Sequence, residues 1–554
     1  METFNERNLS GKPIDHLGLV SDVINELGLI EKIDARLPLP AGCGSKVSMG
    51  ERVSAMILNG LGFVDSRLYM FPEFLRNKPM DRLFGKDLKA EWFNDDAIGR
   101  CLDATFEYGT SQLFAEISLE IGTEKNLLGR SANFDTSTLQ LYGEYPGCKV
   151  PEEEAGKTCA PIPARGYSKS KRHDLNQMVL NLATTGKANF PVWMEAHHGN
   201  ASDQKILPAA AQRMQGLCNQ LAETPEFLYV GDSAIYANIL PCSDTMMWLT
   251  RVPEKILQAK QLVGKEDDLL SWQPLDEGYA YHKAESNYGG VKQRWFLIFS
   301  EQAYEREIKT LARNIEKEYE KLKKGLWHLS KEVFSCPNDA VKASKEFKKK
   351  IKYHQAHCDI QPILGHTSQG RPKKKTTETV KGYQITYRLS EDNEKIAQAK
   401  LKKGRFILST NEFDQDKLPD REILSEYKKQ SGTESGFKFI KDDTFEVDSV
   451  FLQKPSRIDA LMMVMTLCLM VYGYTQYKLR EALKKNNETV PNQKRKPTDN
   501  PSLKWIYFLF SGVQELTISV EGHKKHLVIN MDETLTQIIG YFGPRAQEIY
   551  LNSR

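Results

Sequence analysis

The spacing of apolar residues divides the chain into a helical first part and a longer part in which helices and strands alternate. Between residues 17 and 30, apolar side chains recur with a helical period, and the segment 53–61 continues the pattern after Ser48, a helix-capping residue type. A further helix is expected after Asn94-Asp95-Asp96. Beyond residue 130, short runs of β-branched and aromatic residues predict strands at 133–138, 177–182, 191–195, 227–230, 246–251, 294–299, 383–389 and 405–409.

Two of the predicted strands carry an aspartate. Asp135 lies within the strand 133–138, and residues 139–145 are expected to form the second strand of a hairpin with it. Asp232 directly follows the buried strand 227–230. Since α/β sheets meet their ligands at the carboxyl ends of strands, both carboxylates are candidates for a site.

A third carboxylate lies in the polar segment 427–441, just before the most apolar part of the chain. Tyr427, Gln430, Glu434 and Lys441 are spaced so that a single helix places all four on one face. A carboxylate flanked by a phenol and an ammonium suits metal binding beside a phosphate backbone, although a solvated amphipathic helix is the alternative. With the two aspartates, Glu434 completes a set able to hold two Mg²⁺ ions for phosphoryl displacement.

Taken in order, these three motifs resemble the DDE transposases of bacterial insertion sequences, which belong to the RNase H-like and retroviral-integrase superfamily. The resemblance is narrower to the branch with a Tyr-x2-Arg-x3-Glu-x6-Lys signature. Tyr427, Glu434 and Lys441 match its spacing, whereas Gln430 stands where Arg is usual. Gln lacks the charged fork of Arg, so phosphate binding at that position is expected to be either weaker or compensated by other residues.

The resemblance implies a DNA transposase that cleaves transposon ends and transfers a strand to target DNA. Asp135, Asp232 and Glu434 would be its catalytic and metal-binding residues, with Mg²⁺, or Mn²⁺ in its place, as the cofactor. Its partners would be double-stranded DNA, in the form of terminal inverted repeats and target DNA, and a second copy of the chain in an active homodimer. Two other classes stay open: a transposase-derived DNA-binding protein without cleavage, and a Mg²⁺-dependent nuclease without strand transfer.

Basic segments supply candidate DNA contacts outside the signature. Lys169, Lys171 and Arg172 resemble the Gly-x-Ser-Lys-x-x-Arg segment of the same family, and a solvated turn is the alternative reading. Further blocks at 342–352 and 371–375 lie within the 202 residues that separate Asp232 from Glu434, far more than one crossover needs. An inserted domain is therefore expected there, with its basic blocks either along a DNA groove or simply exposed to water.

The resulting fold class is α/β: an RNase H-like catalytic core interrupted by a large mixed insertion, with an all-helical N-terminal domain. We expect the helical domain at 1–125, the core at 126–245 and 413–485, a β-rich insertion with a long helical hairpin at 246–412, and a linker and C-terminal tail at 486–554. The N-terminal helices favour neither of two roles, a helix-turn-helix DNA-binding domain or a helical scaffold for dimerisation.

Composition adds little about partners but bears on the compartment. The 76 basic and 73 acidic residues give a formal charge of +3, which does not by itself indicate nucleic acid. Nine cysteines without a CxxC pair favour reduced thiols in a cytoplasmic protein, and the resemblance implies a bacterial cytoplasm, near the nucleoid. The first residues show no basic-then-apolar signal. The apolar run 460–474 is shorter than the ~20 residues that cross a bilayer, so it predicts a buried helix and no membrane partner.

Overall fold

A computed structural model describes residues 9–62, 70–143, 145, 160–167, 172–221, 225–366, 378–442, 452–520 and 523–552. The chain divides into two compact units. Unit 1 comprises Met1–Thr250 and Asp414–Arg554, and unit 2 comprises Arg251–Phe413.

Unit 1 begins with a short strand and a series of helices. They are β1 (Leu9–Pro13), α1 (Leu17–Glu26), α2 (Leu29–Arg36), α3 (Met49–Leu61), α4 (Phe71–Arg76), α5 (Met80–Phe84), α6 (Asp95–Tyr108) and α7 (Thr110–Glu124). Gly28, with φ of 63°, separates α1 from α2. Ser48 and Glu51 form a reciprocal capping box at the start of α3, which confirms that predicted helix start. Asn94 caps α6, which begins at Asp95, two residues before the start expected after Asp96.

A five-stranded mixed sheet follows. Its elements are β2 (Ser131–Leu141), β3 (Asn176–Thr185), β4 (Phe190–His197), α8 (Asp203–Cys218), β5 (Leu228–Gly231), α9 (Tyr236–Ile239) and β6 (Met247–Arg251). The strand order is β4-β3-β2-β5-β6. β2, β3 and β4 pair antiparallel in sequence, whereas β5 runs parallel to both β2 and β6. The protein is therefore mixed α/β, and β2, which carries Asp135, is the middle strand.

The hairpin predicted within residues 133–145 is wrong. β2 continues without a break through Leu141, and its antiparallel partner is β3, with Leu139 opposite Met178 and Leu141 opposite Asn176. No Gly, Pro, Asn or Asp interrupts the chain between Thr138 and Leu141, so nothing in this segment favours a turn.

Unit 2 holds a four-stranded sheet and a separate two-stranded ribbon. Its elements are α10 (Leu257–Val263), β7 (Gln273–Leu275), β8 (Tyr279–Ser286), β9 (Gln293–Ser300), α11 (Glu301–Leu329), α12 (Pro337–Lys348), β10 (His354–His366), β11 (Glu378–Glu391), α13 (Asn393–Leu401) and β12 (Arg405–Thr410). Strands β12, β9, β8 and β7 pair antiparallel in that order, and β10 pairs with β11. The buried residues of the long charged helix α11 are Leu311, Leu322 and Leu326.

The chain returns to unit 1 with the signature segment and the tail. These elements are α14 (Ile423–Lys428), α15 (Ser431–Ile440), α16 (Pro455–Asn486), β13 (Val490–Pro491), β14 (Pro497–Thr498), α17 (Leu503–Leu509), β15 (Gln514–Val520), β16 (His523–Ile529), α18 (Glu533–Gly540) and α19 (Pro544–Leu551). Residues 444–453, whose β-branched and aromatic side chains predict a strand, lie almost wholly outside the described residues. Among those described, α16 is long and apolar enough to span a membrane, and 83% of its most apolar 18-residue window is buried inside the protein, as a core helix requires.

The two ends of the chain pack together in unit 1. β1 pairs with β15, which in turn pairs with β16. Arg82, fully buried, forms an ion pair with Glu515 and also donates to the Ile549 carbonyl at 2.9 Å. The Asp22 carboxylate accepts from the backbone amide of Ala546 at 3.0 Å, near the start of α19. The C-terminal tail is therefore part of the same core as the N-terminal helices.

Candidate functional site

Strand register places the two aspartates level with each other. In the parallel pair β2–β5, Asn133 lies opposite Val230. Asp135 is two residues beyond Asn133 and Asp232 is two residues beyond Val230, so the same offset aligns them at the carboxyl end of β5. Both aspartates are partly exposed. The two aspartates, far apart in the sequence, are thus brought near each other by the pairing of β2 with β5.

Each aspartate has one carboxylate oxygen held by the backbone just after it. Oδ1 of Asp135 accepts from the amide of Thr136 at 2.8 Å, and Oδ1 of Asp232 accepts from the amide of Ala234 at 2.8 Å. The carbonyl oxygen of Asp232 accepts from Thr250 Oγ1 on β6 at 2.6 Å. These contacts orient both side chains and fix the backbone at the end of β5.

Helix α15 brings Glu434 to the same strand. Its neighbour Thr433 is fully buried, and Thr433 Oγ1 donates to the carbonyl of Asn133 at 2.8 Å. The same hydroxyl lies 2.7 Å from Thr184 Oγ1 on β3. Thr433 therefore attaches the first turn of α15 to β2 and β3, while Glu434 itself is exposed.

The face of β2 that α15 covers is the face that carries Asp135. Ser137 is on that face because side chains two residues apart in a strand point the same way, and Ser137 Oγ accepts from Lys441 Nζ at 2.6 Å. Leu182 is opposite Asp135 in the antiparallel pair and shares its face. A methyl group on Gly436 would lie only 3.1 Å from Leu182 Cδ2. Glu434 and Lys441 thus lie on a helix packed directly over the surroundings of Asp135.

The signature does not lie on a single helix, so that prediction is wrong. Tyr427 belongs to α14, Gln430 lies in the turn between the helices, and Glu434 belongs to α15; Lys441 follows α15 as its C-cap residue. The amide of Gln430 donates to the carbonyl of Tyr427, three residues back, which tightens the backbone and interrupts the α-helical face. Gly432 allows close packing after this turn, since a methyl group there would lie 2.5 Å from Asn189 Oδ1.

Gln430, at the position of the expected Arg, contacts the strand next to the candidate site. Its Nε2 donates to the carbonyl of Phe134 at 3.3 Å, directly before Asp135. The side chain is partly buried. A neutral amide at this position therefore helps to hold α15 against β2.

An ion cluster missed by sequence reasoning ties α14 to the start of β2. Arg130 donates to the carboxylates of Glu422 and Glu426, at 2.7 Å to the latter, and to the carbonyl of Lys417 at 2.8 Å. Burial opposes the charge on Glu426, but hydrogen bonds from Lys429 and Arg130 outweigh it and lower the pKa of that carboxyl. The sequence positions of Arg130 and Glu426 do not predict this contact, because the two residues are brought together only by the folded sheet.

The basic residues predicted to contact DNA are only partly described. Lys169 and Lys171 lie outside the described residues, as does the block 371–375. Arg172 is exposed and forms a two-pronged ion pair with Asp174, at 2.8 and 2.9 Å, which lowers the pKa of that carboxyl to about 2. The block 342–352 has its lysines exposed on α12 and the residues after it. DNA contact at each of these positions stays a prediction.

The donor chemistry of the site suits a hard divalent cation, since Asp135, Asp232 and Glu434 offer only carboxylate oxygens. Across the part of the chain that the structure describes, no three His, Cys, Asp or Glu side chains lie close enough together to hold a metal ion. The strand and helix positions bring the three residues into one neighbourhood, and their carboxylates are not gathered around a common point.

Comparison with known proteins gives limited similarity. Residues 9–119 match the family model DUF4277, described as a domain of unknown function. A search of curated proteins found no match. Among solved structures, the chain is similar to the piggyBac transposase in a cryo-electron microscopy synaptic complex with hairpin DNA, at 9% sequence identity and a TM-score of 0.34. That alignment covers 90% of this chain and 79% of the other; at this TM-score it supports no argument about fold or function.

Proposed function

We propose that this protein is a DDE-type DNA transposase, which cleaves transposon ends and joins them to target DNA in a Mg²⁺-dependent reaction. One observation carries the proposal. The β2–β5 register aligns Asp135 with Asp232, and α15 packs Glu434 over the same face of β2. Three acidic residues from separate parts of the sequence are thus brought into one neighbourhood, at the carboxyl end of β5 and beside β2.

The sheet supports an RNase H-like core as the fold of this site. Strands β2, β3 and β4 are consecutive and antiparallel. Strands β5 and β6 follow in the sequence, run parallel to β2, and lie on the side of β2 away from β3. This order puts β2 in the centre, where its aspartate is flanked by the end of β5. We therefore assign β2 to β6 with α15 as the proposed catalytic core.

Each residue of the site has a proposed task. Asp135, Asp232 and Glu434 would hold two Mg²⁺ ions, which when bound activate a water or 3′-hydroxyl and stabilise the leaving oxygen. Lys441, held beside Ser137 on the face of Asp135, would place a positive charge next to the scissile phosphate. Tyr427 would contact the phosphate backbone from α14. Gln430 would act on the backbone of β2 through Phe134 and only indirectly on DNA.

The test uses the full-length protein with a labelled transposon end, a target plasmid and Mg²⁺. The DNA next to the coding sequence supplies the candidate terminal repeats. Wild type should give cleaved ends and joined product, and Mn²⁺ should replace Mg²⁺. Asp135→Asn, Asp232→Asn and Glu434→Gln should each remove both products and leave the mobility shift of the DNA unchanged, because these substitutions take away metal ligands and no phosphate contact.

Three other results would contradict the proposal. Cleavage without joining indicates a nuclease, and a mobility shift without either product indicates a DNA-binding protein. Normal cleavage by Asp135→Asn would show that the site lies elsewhere. Glu533→Gln is a matched control, since it removes an exposed carboxylate of α18 that has no place in the proposed site. We also expect a homodimer on paired ends, which light scattering of the complex with DNA would measure.

A further inference from the structure

Helix α17 of the C-terminal tail carries an aromatic pair, of which one ring is exposed. Trp505 and Phe508 stack with ring centroids 5.4 Å apart and an interplanar angle of 21°. Phe508 is 65% exposed, although the neighbouring Leu503 and Ile506 are buried in the core. An aromatic ring held flat and open to solvent is a suitable platform for another flat ring.

A basic hairpin lies beside this pair. Trp505 Nε1 donates to the carbonyl of Pro491 at 2.7 Å, which attaches α17 to the hairpin β13–β14. At its tip, Oδ1 of Asn492 accepts from the amides of Lys494 and Lys496, at 2.8 and 3.0 Å. Arg495, between them, has a φ of 57°. The turn therefore presents three consecutive cations, all of them exposed.

Charge in this region is one-sided. Residues 490–510 contain four basic side chains, Lys494, Arg495, Lys496 and Lys504, and a single acidic one, Asp499. Lys504 on α17 is bound to Asp442, at 3.1 and 3.2 Å from its two carboxylate oxygens. With Lys504 paired to a residue outside this stretch, the three cations of the turn and Asp499 leave a net charge of +2.

The same ion pair links the surface to the proposed active site. Asp442 follows Lys441 directly at the end of α15, the helix that carries Glu434. Phe439 of α15 also packs against Tyr472, with ring centroids 4.4 Å apart, and the Tyr472 hydroxyl accepts from the amide of Lys504 at 3.1 Å. Helix α17 is thus attached to the C-terminal end of the helix with the third carboxylate.

We propose that this surface, the α17 patch (Trp505, Phe508, Lys494, Arg495 and Lys496), binds a DNA strand that has an unpaired base. The base stacks on Phe508, and the phosphates next to it contact the cations of the turn. Exposed aromatic rings beside clustered cations are what proteins use to bind unpaired strands, since every base has a flat face and every phosphate a charge. The proposal rests on the proposed function only in taking DNA as the partner.

The experiment measures fluorescence anisotropy of a labelled duplex with and without an unpaired tail of about three thymidines, a length suited to stacking on one platform. It uses the full-length Asp135→Asn protein with EDTA, so that no chemistry intervenes. Phe508→Ala should weaken binding of the tailed duplex by about 5- to 100-fold, the range for loss of one stacked base, and should leave the blunt duplex almost unaffected. Phe508→Tyr should bind as Phe508 does, because it retains the ring.

Charge variants give an independent measurement. Lys494→Gln with Lys496→Gln should weaken binding of the tailed duplex and reduce the slope of log affinity against log salt by about 0.7 for each phosphate that the variant no longer neutralises. Lys524→Gln with Lys525→Gln is the matched control, since these two lysines of β16 are equally exposed and lie outside the patch. The control pair should bind like the parent protein.

Unchanged affinity of the tailed duplex for Phe508→Ala would overturn the proposal, as would an equal reduction for blunt and tailed duplexes. If Phe508→Ala instead converts a dimer to a monomer by light scattering without affecting DNA, the patch is an interface between copies of the chain. Failure of the transposase proposal is distinguishable, since wild type would then form no cleaved product while the Phe508 effect on binding persists.

Discussion

Replacement of Thr433 by Val tests how α15 is held in place. Thr433 is completely buried, and its hydroxyl contacts both the Asn133 carbonyl and the Thr184 hydroxyl. Val has nearly the same shape as Thr, so the substitution removes the hydroxyl and leaves no cavity. Its effect therefore reports the two hydrogen bonds that attach Glu434's helix to the strand of Asp135.

The stability lost in Thr433→Val follows from the hydrogen-bonding groups that the substitution leaves without a partner. Loss of the bond to Asn133 removes about 0.5–1.5 kcal/mol of net stabilisation. Since Thr433 donates to Asn133, Thr184 must donate to Thr433, and its buried hydroxyl then loses that acceptor at a cost of about 1–3 kcal/mol. We therefore expect the attachment of α15 to weaken by roughly 2–4 kcal/mol. In the double variant with Thr184→Val, no hydroxyl is left without a partner. The double variant should therefore lose less stability than the two single variants together, with a coupling energy of about 1 kcal/mol.

Hydrogen exchange of the α15 amides measures this weakening locally, which suits a chain too large to unfold in one step. Cleavage of a transposon end measures its consequence: displacement of a catalytic group by about 1 Å costs about 100-fold in rate. Thr433→Ser keeps the hydroxyl and should restore most of the protection and the rate. If Thr433→Val exchanges and cleaves like wild type, the two bonds do not position Glu434, and this reasoning is refuted.

Three further substitutions test other parts of the structure. Gly432→Ala should displace α15 and reduce cleavage, since its methyl group would lie 2.5 Å from Asn189 Oδ1. The matched change is Gly216→Ala in α8, where an added methyl group would meet nothing within 4 Å; this variant should raise the melting temperature slightly. Ser48→Ala should destabilise the protein by about 1 kcal/mol through loss of the capping box, and unchanged amide exchange in the first turn of α3 would contradict this. Burial raises the pKa of the Asp459 carboxyl to about 7, so the folded protein retains a proton that the unfolded chain releases near its ordinary pKa of about 4. The stabilising contribution of the Asp459 proton should therefore be lost as the pH rises from about 4 to about 7. Over that interval the melting temperature of Asp459→Asn should fall less, or rise more, than that of wild type; identical profiles would count against the raised pKa.

Local chemistry in the sequence was sufficient for most individual elements. Ser48 is a residue type that caps helices, and α3 begins directly after it, as expected. The strand around Asp135 and the one before Asp232 were also predicted, because β-branched and aromatic residues in short runs favour strands. Such signals depend on neighbours in the sequence, which is why they could be read from it.

Pairing over long distances could not be predicted in the same way. Residues 139–145 were expected to turn back on Asp135, since a hairpin is the nearest partner for a strand, yet the real partner β3 begins at Asn176. The pairing of β1 with β15, and the buried ion pair between Arg82 and Glu515, join the two ends of the chain. No pattern within either segment specifies its partner, because the energy of these interactions arises only when the whole core is assembled.

The signature segment shows how a resemblance and a structure differ in what they specify. Spacing alone put Tyr427, Glu434 and Lys441 on one helical face, and the tight turn at Gln430 removes that regularity. The positions of Glu434 and Lys441 relative to Asp135 are instead set by contacts of α15 with β2, through Thr433 near one end of the helix and Lys441 at the other. A residue's place in the proposed site therefore follows from what holds its helix to the sheet. By the same reasoning, the missing charge at Gln430 does not argue against activity, since the amide already bonds to the strand beside Asp135.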